Sequence, residues 1–249
     1  MPAEDPDPAL PSDGDHDAPA FRYDPPAGPP CILYHDDHIV VVDKPAGLLS
    51  VPGKGAHLAD CLIERLKVPF PDTLLVHRLD LDTSGVMVFA LTKHAQRFLS
   101  AEFENRRTKK GYIARLWGHL LPEEGVVDLP LAVDWPNRPR QRVDHDRGRP
   151  SQTGWRVLRH DDDGTTRVRL YPVTGRSHQL RVQCAKRDLP IVGDQTYGDF
   201  TRNRDFARRT GAKRLFLHSL ETTFDYECRG ARCSFTAHAP LPSEFLQWL

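Results

Sequence analysis

Two aspartates stand two residues apart in the segment HRLDLDTSG, residues 77–85, between a basic pair and a small polar turn. A carboxylate in such a segment can attack a substrate, hold a metal ion or share a proton with a second carboxylate. It can also do no chemistry and accept hydrogen bonds from the backbone of a turn. The residues around Asp80 and Asp82 must therefore decide between several kinds of protein.

Two enzyme classes use aspartates in comparable surroundings. The triplet D-T-S, residues 82–84, resembles the loop of aspartic proteases, but those enzymes need a second such loop and the sequence contains none. Asp80-x-Asp82 followed by Ser84 is close to the D-x-D-x-T signature of haloacid-dehalogenase-type phosphotransferases, which hold Mg²⁺ with carboxylates. That signature follows an apolar strand in a doubly wound α/β fold, whereas a histidine and an arginine interrupt the apolar run here. A Mg²⁺-dependent phosphotransferase remains the alternative enzyme.

The third possibility is a lone carboxylate that acts on an RNA base, and the neighbouring motifs favour it. HRLD and TSG, followed by VFALTK, resemble the catalytic segment of the RluA-type pseudouridine synthases. Further segments resemble motifs of that family: DKPAGLLSVPG (43–53), KGY (110–112), TGRSHQLR (174–181) and LPIVGD (189–194) with YG (197–198). The resemblance runs from about Ile32 to the C-terminus, and five motifs in register are specific where one would be weak.

This resemblance implies a chemistry and a class of partner. Members of the family isomerise uridine to pseudouridine with a catalytic aspartate and a flipped-out base, and they use no cofactor and no metal ion. Residues 129–141, LPLAVDWPNRPRQ, and residues 149–153, RPSQT, are similar to the member that acts on 23S rRNA and on the tRNA anticodon stem-loop. We therefore expect a structured RNA of one or both kinds as the partner, and no separate N-terminal RNA-binding module.

The resemblance also implies which residues are catalytic. Asp80 is implied to be the carboxylate that attacks or stabilises the substrate, with Arg176 as its ion-pair partner at the start of a helix. Tyr112 is implied to stack on the target base, where it could take the proton from carbon 5. Asp82 is expected to be structural, accepting backbone N–H groups in the turn. Taken singly, Asp80 could have the same turn role, Arg176 could be a surface or capping residue, and Tyr112 an ordinary strand tyrosine.

Four more residues are implied to bind the substrate. Leu180 would form part of an apolar pocket wall, and Arg78 would fill the space that the flipped base leaves, since a guanidinium can stack on bases. Lys110 belongs to the same set, as does His77, which we expect to be a structural hydrogen-bonding residue rather than a catalyst. The plain alternatives are a core leucine and an arginine paired with a neighbouring acid.

The charge distribution is compatible with a polyanionic partner. The 249 residues have no net charge, but residues 1–30 contain seven acids and one base, and the remainder therefore carries +6. Three basic clusters, at 106–110, 138–149 and 202–214, could contact phosphates, although such clusters often form only a solvated face. An RNA-binding protein without catalytic activity is therefore the second alternative.

Hydrophobic patterning predicts one α+β domain around a mixed, largely antiparallel sheet. Residues 31–249 form this catalytic domain, and residues 1–30, with nine of the 22 prolines and no apolar run, are expected to be a disordered tail. The tail has no signal-peptide features and no segment could span a membrane, so we expect a cytoplasmic monomer. The patterns predict these elements: strands at either side of Asp36-Asp37, at 74–79, 85–91, 112–120, 126–133, 155–159, 167–172, 215–217, 222–226 and 233–237, and helices at 57–68, 93–104 and 177–186.

Overall fold

The computed structural model describes residues 22–228 and 230–246, which build one mixed sheet with short helices. The strands are β1 (Cys31–His35), β2 (Ile39–Lys44), β3 (Leu74–Leu75), β4 (Ser84–Ala90), β5 (Lys109–Trp117), β6 (Glu124–Asp128), β7 (Leu131–Val133), β8 (Gln141–Val143), β9 (Gln152–Asp161), β10 (Thr165–Pro172), β11 (Leu217–Cys228) and β12 (Ala231–His238). The helices are α1 (Leu62–Lys67), α2 (Lys93–Glu104), α3 (Gln179–Ala185), α4 (Phe200–Thr210) and α5 (Ser243–Leu246), with 3₁₀ turns at Ala56–Leu58 and Trp135–Asn137.

The sheet is antiparallel except at its centre. Its order is β1-β2-β4-β11-β5-β10-β9-β6, with β12 on β11 and β3 on β4, while β7 and β8 form a separate hairpin. Among the described strands only β4 and β11 pair in parallel. The predicted α+β class with a largely antiparallel sheet is therefore confirmed. The doubly wound parallel sheet that a haloacid-dehalogenase-type phosphotransferase requires is not present in this part of the chain.

Apolar clusters attach the helices to the sheet near the predicted motifs. Leu62 and Leu66 of α1 are fully buried with side chains of β2 and β4. Ala95 and Leu99 of α2 pack into a second cluster that includes β2, β4 and β11. Leu180 of α3 belongs to a third cluster with β5, β10 and β11. The loop before β4, the start of β5 and the start of α3 are thereby held close to one another.

Several predicted boundaries were wrong for physical reasons. The strand expected at 74–79 ends at Leu75, because the side chain of His77 takes over the hydrogen bonding there by accepting the N–H of Val88. The helix expected from Ser177 begins at Gln179, after a residue with left-handed backbone. Helix α4 was not predicted, because arginines are frequent in its sequence and the apolar periodicity is weak. Only Asn203 and Phe206 of this helix are buried.

The predicted tail overlaps the domain. Residues 1–21 lie outside the described part of the chain, but residues 22–30 pack on α1 and on the segment after β2. The hydroxyl of Tyr23 donates to the carbonyl of Asp60 at 2.8 Å and accepts the N–H of Leu49 at 3.1 Å. Arg65 donates to the carbonyls of Pro26 and Gly28. These hydrogen bonds attach Tyr23, Pro26 and Gly28, which belong to the predicted tail, to the rest of the described chain. No helix in the described ranges is long and apolar enough to cross a membrane.

Candidate active site

A cleft of about 870 Å³ opens between the loop before β4, the end of α2, the start of β5 and the start of α3. All seven residues predicted for the site line it, together with His178 and Arg181, which the sequence interpretation did not single out. The seven are His77, Arg78, Asp80, Lys110, Tyr112, Arg176 and Leu180. Residues that are up to 103 positions apart in sequence thus meet in one concave site.

The loop that carries Asp80 is held by hydrogen bonds from the end of β2 and from the segment that follows it. Lys44 is fully buried, and its ammonium donates to the carbonyls of Pro45, Leu48 and Leu81 at 2.7–2.9 Å. Burial lowers the pKa of Lys44 to about 7, although the charges of Asp82 and Asp80 oppose the shift. The hydroxyl of Ser50 donates to the carbonyl of Leu79 at 2.8 Å. The D-K-P-A-G segment therefore holds the aspartate loop in place.

His77 is held by a hydrogen bond and by a stacking contact at the entry to the aspartate loop. Its Nε2 accepts the backbone N–H of Val88 at 3.1 Å, and its ring stacks on Phe103 with centroids 4.4 Å apart. Burial, together with the charge of Lys110, lowers the pKa of His77 to about 3. A neutral ring that accepts through Nε2 carries its proton on Nδ1. The hydrogen bond to Val88 links the segment before Asp80 to β4.

The ion pair of Asp80 corrects the prediction for Arg176. Asp80 Oδ2 lies 3.4 Å from Nη1 of Arg181, five residues beyond the predicted partner. Arg176 instead donates through Nε to the carbonyl of Pro150 at 3.3 Å and forms no ion pair within the described chain. Because α3 begins only after His178, Arg176 lies in the turn before the helix and Arg181 lies on the helix.

Arg181 is oriented by a second carboxylate. Asp194, almost fully buried, accepts Nε of Arg181 at 2.8 Å and Nη2 at 2.9 Å. Burial alone would lower the pKa of Arg181, but the hydrogen bonds and charge of Asp194 and the charge of Asp80 raise it. The side chain of Asp80 keeps 27% of its surface exposed, against 1% for Asp194. Asp80 is therefore the carboxylate that a ligand in the cleft can reach.

Asp82 differs from Asp80 in its surroundings. Burial raises its pKa, and the charges of Arg181 and Lys44 oppose this shift. We find no backbone N–H bonded to its carboxylate among the described residues, so the expected turn hydrogen bonds are absent there. Its position next to the buried ammonium of Lys44 still indicates a role in the loop rather than in the cleft wall, to which it does not contribute.

Tyr112 and Lys110 project from the same strand of the cleft wall. Burial raises the pKa of Tyr112 to about 12, with a smaller contribution from the charge of Asp80. A phenol with this pKa stays protonated at neutral pH, which favours stacking over proton removal. Burial lowers the pKa of Lys110 to about 8, and its Nζ donates to the carbonyl of Thr174 at 3.3 Å. Leu180 supplies apolar surface to the same cleft.

The turn before α3 adds a residue that the sequence did not reveal as special. His178 has a φ of 53°, and its Nδ1 lies 2.8 Å from the hydroxyl of Tyr197. Burial lowers the pKa of His178 more than the charges of Asp80 and Asp194 raise it. The side chain of Gln179 pins the turn by accepting from Thr174 and from the N–H of Arg176. The motif T-G-R-S-H-Q-L-R is thus a folded unit whose interior bonds sequence spacing could not show.

The arrangement fits a flat ligand beside an accessible carboxylate. An aromatic ring and a leucine can enclose a planar base, and the guanidinium of Arg181, 3.4 Å from Asp80, orients its carboxylate. Arg78 and Arg106 are exposed in the same wall and supply positive charge at the opening. The site can therefore hold an anionic polymer while presenting one carboxylate to an inserted base.

Known proteins resemble the chain over nearly its whole length. A family model described as RNA pseudouridylate synthase matches residues 38–186. The dual-specificity RNA pseudouridine synthase RluA of Escherichia coli (strain K12) is 48% identical over 219 residues, which are 88% of this chain and 97% of that protein. The protein of the same name from Yersinia pestis is 54% identical over 208 residues, covering 84% of this chain and 98% of the relative.

Solved structures show the same fold. Human RNA Pseudouridylate Synthase Domain Containing 1 aligns with a TM-score of 0.68 at 27% identity and covers 93% of this chain and 90% of its own. Human RNA Pseudouridylate Synthase Domain Containing 4 aligns with a TM-score of 0.68 at 25% identity, covering 87% and 90%. Both alignments extend well beyond the elements that line the cleft.

Proposed function

The chain belongs to the RNA pseudouridylate synthase family and is an RNA pseudouridine synthase, and we propose that Asp80 is the carboxylate with which it isomerises uridine. The observation that carries this assignment is the partly exposed carboxylate of Asp80 in the cleft, paired with Arg181 at 3.4 Å. The reaction breaks the bond from the ribose to a ring nitrogen of uracil, and the base reattaches through carbon 5. It needs no oxidant, because the product is an isomer of the substrate.

Each wall of the cleft has a part in this proposal. Asp80 attacks or stabilises the electron-poor species that forms when the base leaves the ribose. Arg181 pairs with Asp80 and positions its carboxylate, the role predicted for Arg176, and Asp194 orients Arg181. Tyr112 and Leu180 enclose the base. The ring of Tyr112 stacks on it, and the proton that leaves carbon 5 passes to solvent, which returns one proton to the ring nitrogen freed from the ribose.

The target uridine must leave its stack to enter the cleft. Extrusion costs a few kcal/mol, and the enzyme can recover part of this by filling the vacated space. Arg78 is exposed next to the Asp80 loop, and we assign it this filling role. Lys110 contacts the phosphate backbone of the inserted nucleotide. His77 supports both by holding the loop.

The substrate proposed for the chain is 23S rRNA, the tRNA anticodon stem-loop or both. Relatives at 48% and 54% identity are named as dual-specificity RNA pseudouridine synthases, and this supports more than one RNA target. We propose that the enzyme works on them in the cytoplasm, as a monomer and without a metal ion. The catalytic unit is the domain that follows the acidic N-terminal segment.

The first test replaces Asp80. We expect Asp80→Asn to lower pseudouridine formation by at least about 10³-fold, because an amide cannot supply the negative charge. The assay is the release of tritium from carbon 5 of labelled uridine in an anticodon stem-loop RNA, with RNA affinity and thermal unfolding measured in parallel. Asp82→Asn is the matched control and should cost much less. Equal losses, or a larger loss for Asp82→Asn, would contradict the assignment.

The same experiment separates the remaining alternative. A non-catalytic RNA-binding protein would bind the stem-loop in a salt-sensitive way and release no tritium, in the unmodified protein as in the variants. Release by the unmodified protein without added metal supports the proposed mechanism.

A further inference from the structure

Two arginines that line the cleft lie near a third arginine from a separate segment. Arg106 lies in the turn between α2 and β5, Arg149 follows the β7–β8 hairpin, and Arg176 precedes α3. We call these three residues the rim arginines. Neither the residues' sequence positions nor the similarity to known proteins assigns them a joint role.

The geometry that brings the rim arginines together is defined by backbone contacts. Arg106 and Arg176 line the same cleft. Nε of Arg176 donates to the carbonyl of Pro150 at 3.3 Å, which places this guanidinium beside the neighbouring residue Arg149. The backbone of Arg149 is itself fixed by hydrogen bonds of 2.8 and 3.0 Å to Leu131. Their mutual proximity also shows in Arg176, whose pKa is lowered first by burial and then by the charges of Arg149 and Arg106.

The rim arginines have no counter-ion in the described part of the protein. None of the ion pairs found there includes Arg106, Arg149 or Arg176. Two of the carboxylates nearby are paired with other residues: Glu102 pairs with Arg107 and Arg232, and Asp80 pairs with Arg181. The wall also contains the exposed Glu104, which forms no ion pair. Like charges brought together without a partner repel one another, so an anion bound among them would be stabilised.

The backbone of Arg106 has an energetically unfavourable conformation. Its φ of 58° lies in the left-handed region, which side chains other than glycine rarely adopt. The turn is closed by the N–H of Arg106, which donates to the carbonyl of Phe103 at 3.2 Å. This backbone conformation sets the direction in which the side chain leaves the turn after α2.

We propose that the rim arginines bind backbone phosphates of the RNA next to the uridine that enters the cleft. The inference rests on the proposed function, since it takes the RNA of that reaction as the ligand. Guanidinium groups match phosphate oxygens with two parallel hydrogen bonds, and contacts of this kind position an RNA without reading its sequence. A phosphodiester chain suits three separate guanidiniums at an open rim better than a single free phosphate does.

The test is the salt dependence of RNA binding. Each phosphate contact removed should reduce the slope of log affinity against log salt concentration by about 0.7 to 0.9. We therefore expect Arg106→Gln, Arg149→Gln and Arg176→Gln each to weaken binding of an anticodon stem-loop RNA at low salt and to flatten the slope by about that amount. The three Arg→Lys variants should keep most of the slope, because the charge remains.

Arg208→Gln is the matched control. Arg208 is exposed on α4, pairs with Asp205 at 3.2 Å and does not line the cleft, so it changes the net charge equally. Its slope should stay at the wild-type value. Thermal unfolding of every variant verifies that the fold is intact. Rim variants whose slopes equal that of Arg208→Gln would overturn the inference.

Two further outcomes are informative. Inorganic phosphate added at constant ionic strength should displace the RNA only weakly, and strong displacement that is lost in the rim variants would assign the site to free phosphate instead. Pseudouridine formation is measured on the same RNA. A flattened slope without pseudouridine contradicts only the proposed catalytic function, whereas pseudouridine with unchanged slopes contradicts only the role of the rim arginines.

Discussion

At the level of single residues, the site separates two carboxylates that face the same guanidinium. Asp194 makes two hydrogen bonds of 2.8 and 2.9 Å to Arg181 and is nearly enclosed, while Asp80 makes one longer contact and stays accessible. A charge buried without a partner is costly, so Asp194 allows Arg181 to remain charged inside the protein. The weaker contact leaves Asp80 free to interact with a substrate. The two acids therefore have different roles although both touch Arg181.

The proposed phosphate contact of Lys110 predicts that RNA affinity depends on pH. Burial lowers its pKa to about 8, so the ammonium loses its proton as the pH rises from 7 to 9. Bound phosphate favours the charged form of Lys110, so its pKa should be higher in the RNA complex than in the free protein. RNA binding should therefore weaken as the pH rises, by up to about tenfold per pH unit between these two pKa values. Fluorescence anisotropy with a stem-loop RNA at fixed ionic strength measures the change.

The variant Lys110→Arg is the control for this pH dependence. Its guanidinium stays charged throughout the range, so its affinity should change little between pH 7 and 9. If it loses affinity as the wild-type protein does, another group is responsible.

The residues proposed for catalysis show what sequence reasoning could and could not supply at this scale. Motif resemblance placed Asp80, Tyr112 and Lys110 in one site, and the structure does bring them to the same cleft. It named the wrong arginine, because T-G-R-S-H-Q-L-R contains two and the choice depends on where α3 begins. That start is set by the backbone of His178, and a φ of 53° at a histidine has no signature in the sequence.

At the level of elements, the residue before α3, His178, has an unfavourable backbone conformation, and we propose that the reaction depends on it. A histidine in the left-handed region is disfavoured by roughly 1 kcal/mol relative to glycine. We expect His178→Gly to keep or raise the free energy of unfolding and yet to lower pseudouridine formation at least about tenfold. The variant removes the contact to Tyr197 and leaves the turn before Arg181 less restrained. Urea unfolding and single-turnover kinetics measure the two effects.

Asp188 provides the matched control for this element. It is exposed, has a φ of 58° and does not line the cleft, so Asp188→Gly should stabilise the protein by a similar amount without changing the rate. A normal rate for His178→Gly would show that the conformation of this turn has no part in the reaction.

The elements that sequence patterns predicted best are those with local signals. Helix α2 spans Lys93–Glu104 as predicted, because Thr92 caps it by accepting the N–H of Ala95 and its apolar side faces the sheet. Helix α4 was not predicted although Asp199 caps it, since Arg202 and other polar residues leave little apolar periodicity in its sequence. The buried face of α4 is specified by a tertiary contact, the hydrogen bond from Trp117 to Asn203 at 2.9 Å. Such a contact joins residues 86 positions apart and cannot be read from a local pattern.

At the level of the whole molecule, sequence reasoning predicted the class of the sheet but not the order in which its strands pair. An antiparallel majority was predictable from short connections and alternating strands. The parallel pairing of β4 with β11 was not, because it joins Ser84 to His218 across most of the chain. This pairing matters for the site, since it sets the start of β4, and so the Asp80 loop, beside the strand that also pairs with β5 and Tyr112.

The acidic N-terminal segment gives the last prediction, which concerns the charge of the whole molecule. Residues 1–21 contain six acids and no lysine or arginine, so the rest of the chain carries +6. The described chain begins at Arg22, next to Tyr23, whose hydroxyl accepts the N–H of Leu49 in the cleft wall, so the acidic segment is attached to the chain near the proposed RNA site. Removing residues 1–21 should raise the association rate with stem-loop RNA by about threefold to tenfold at low salt, and the difference should vanish at about 0.5 M salt, where screening is strong. Stopped-flow fluorescence measures these rates. A full-length variant with the six acids replaced by Asn or Gln separates charge from chain length and should behave as the truncation does. A faster truncated protein beside an unchanged neutralised variant would show that the segment acts by its bulk, and the electrostatic explanation would then be wrong.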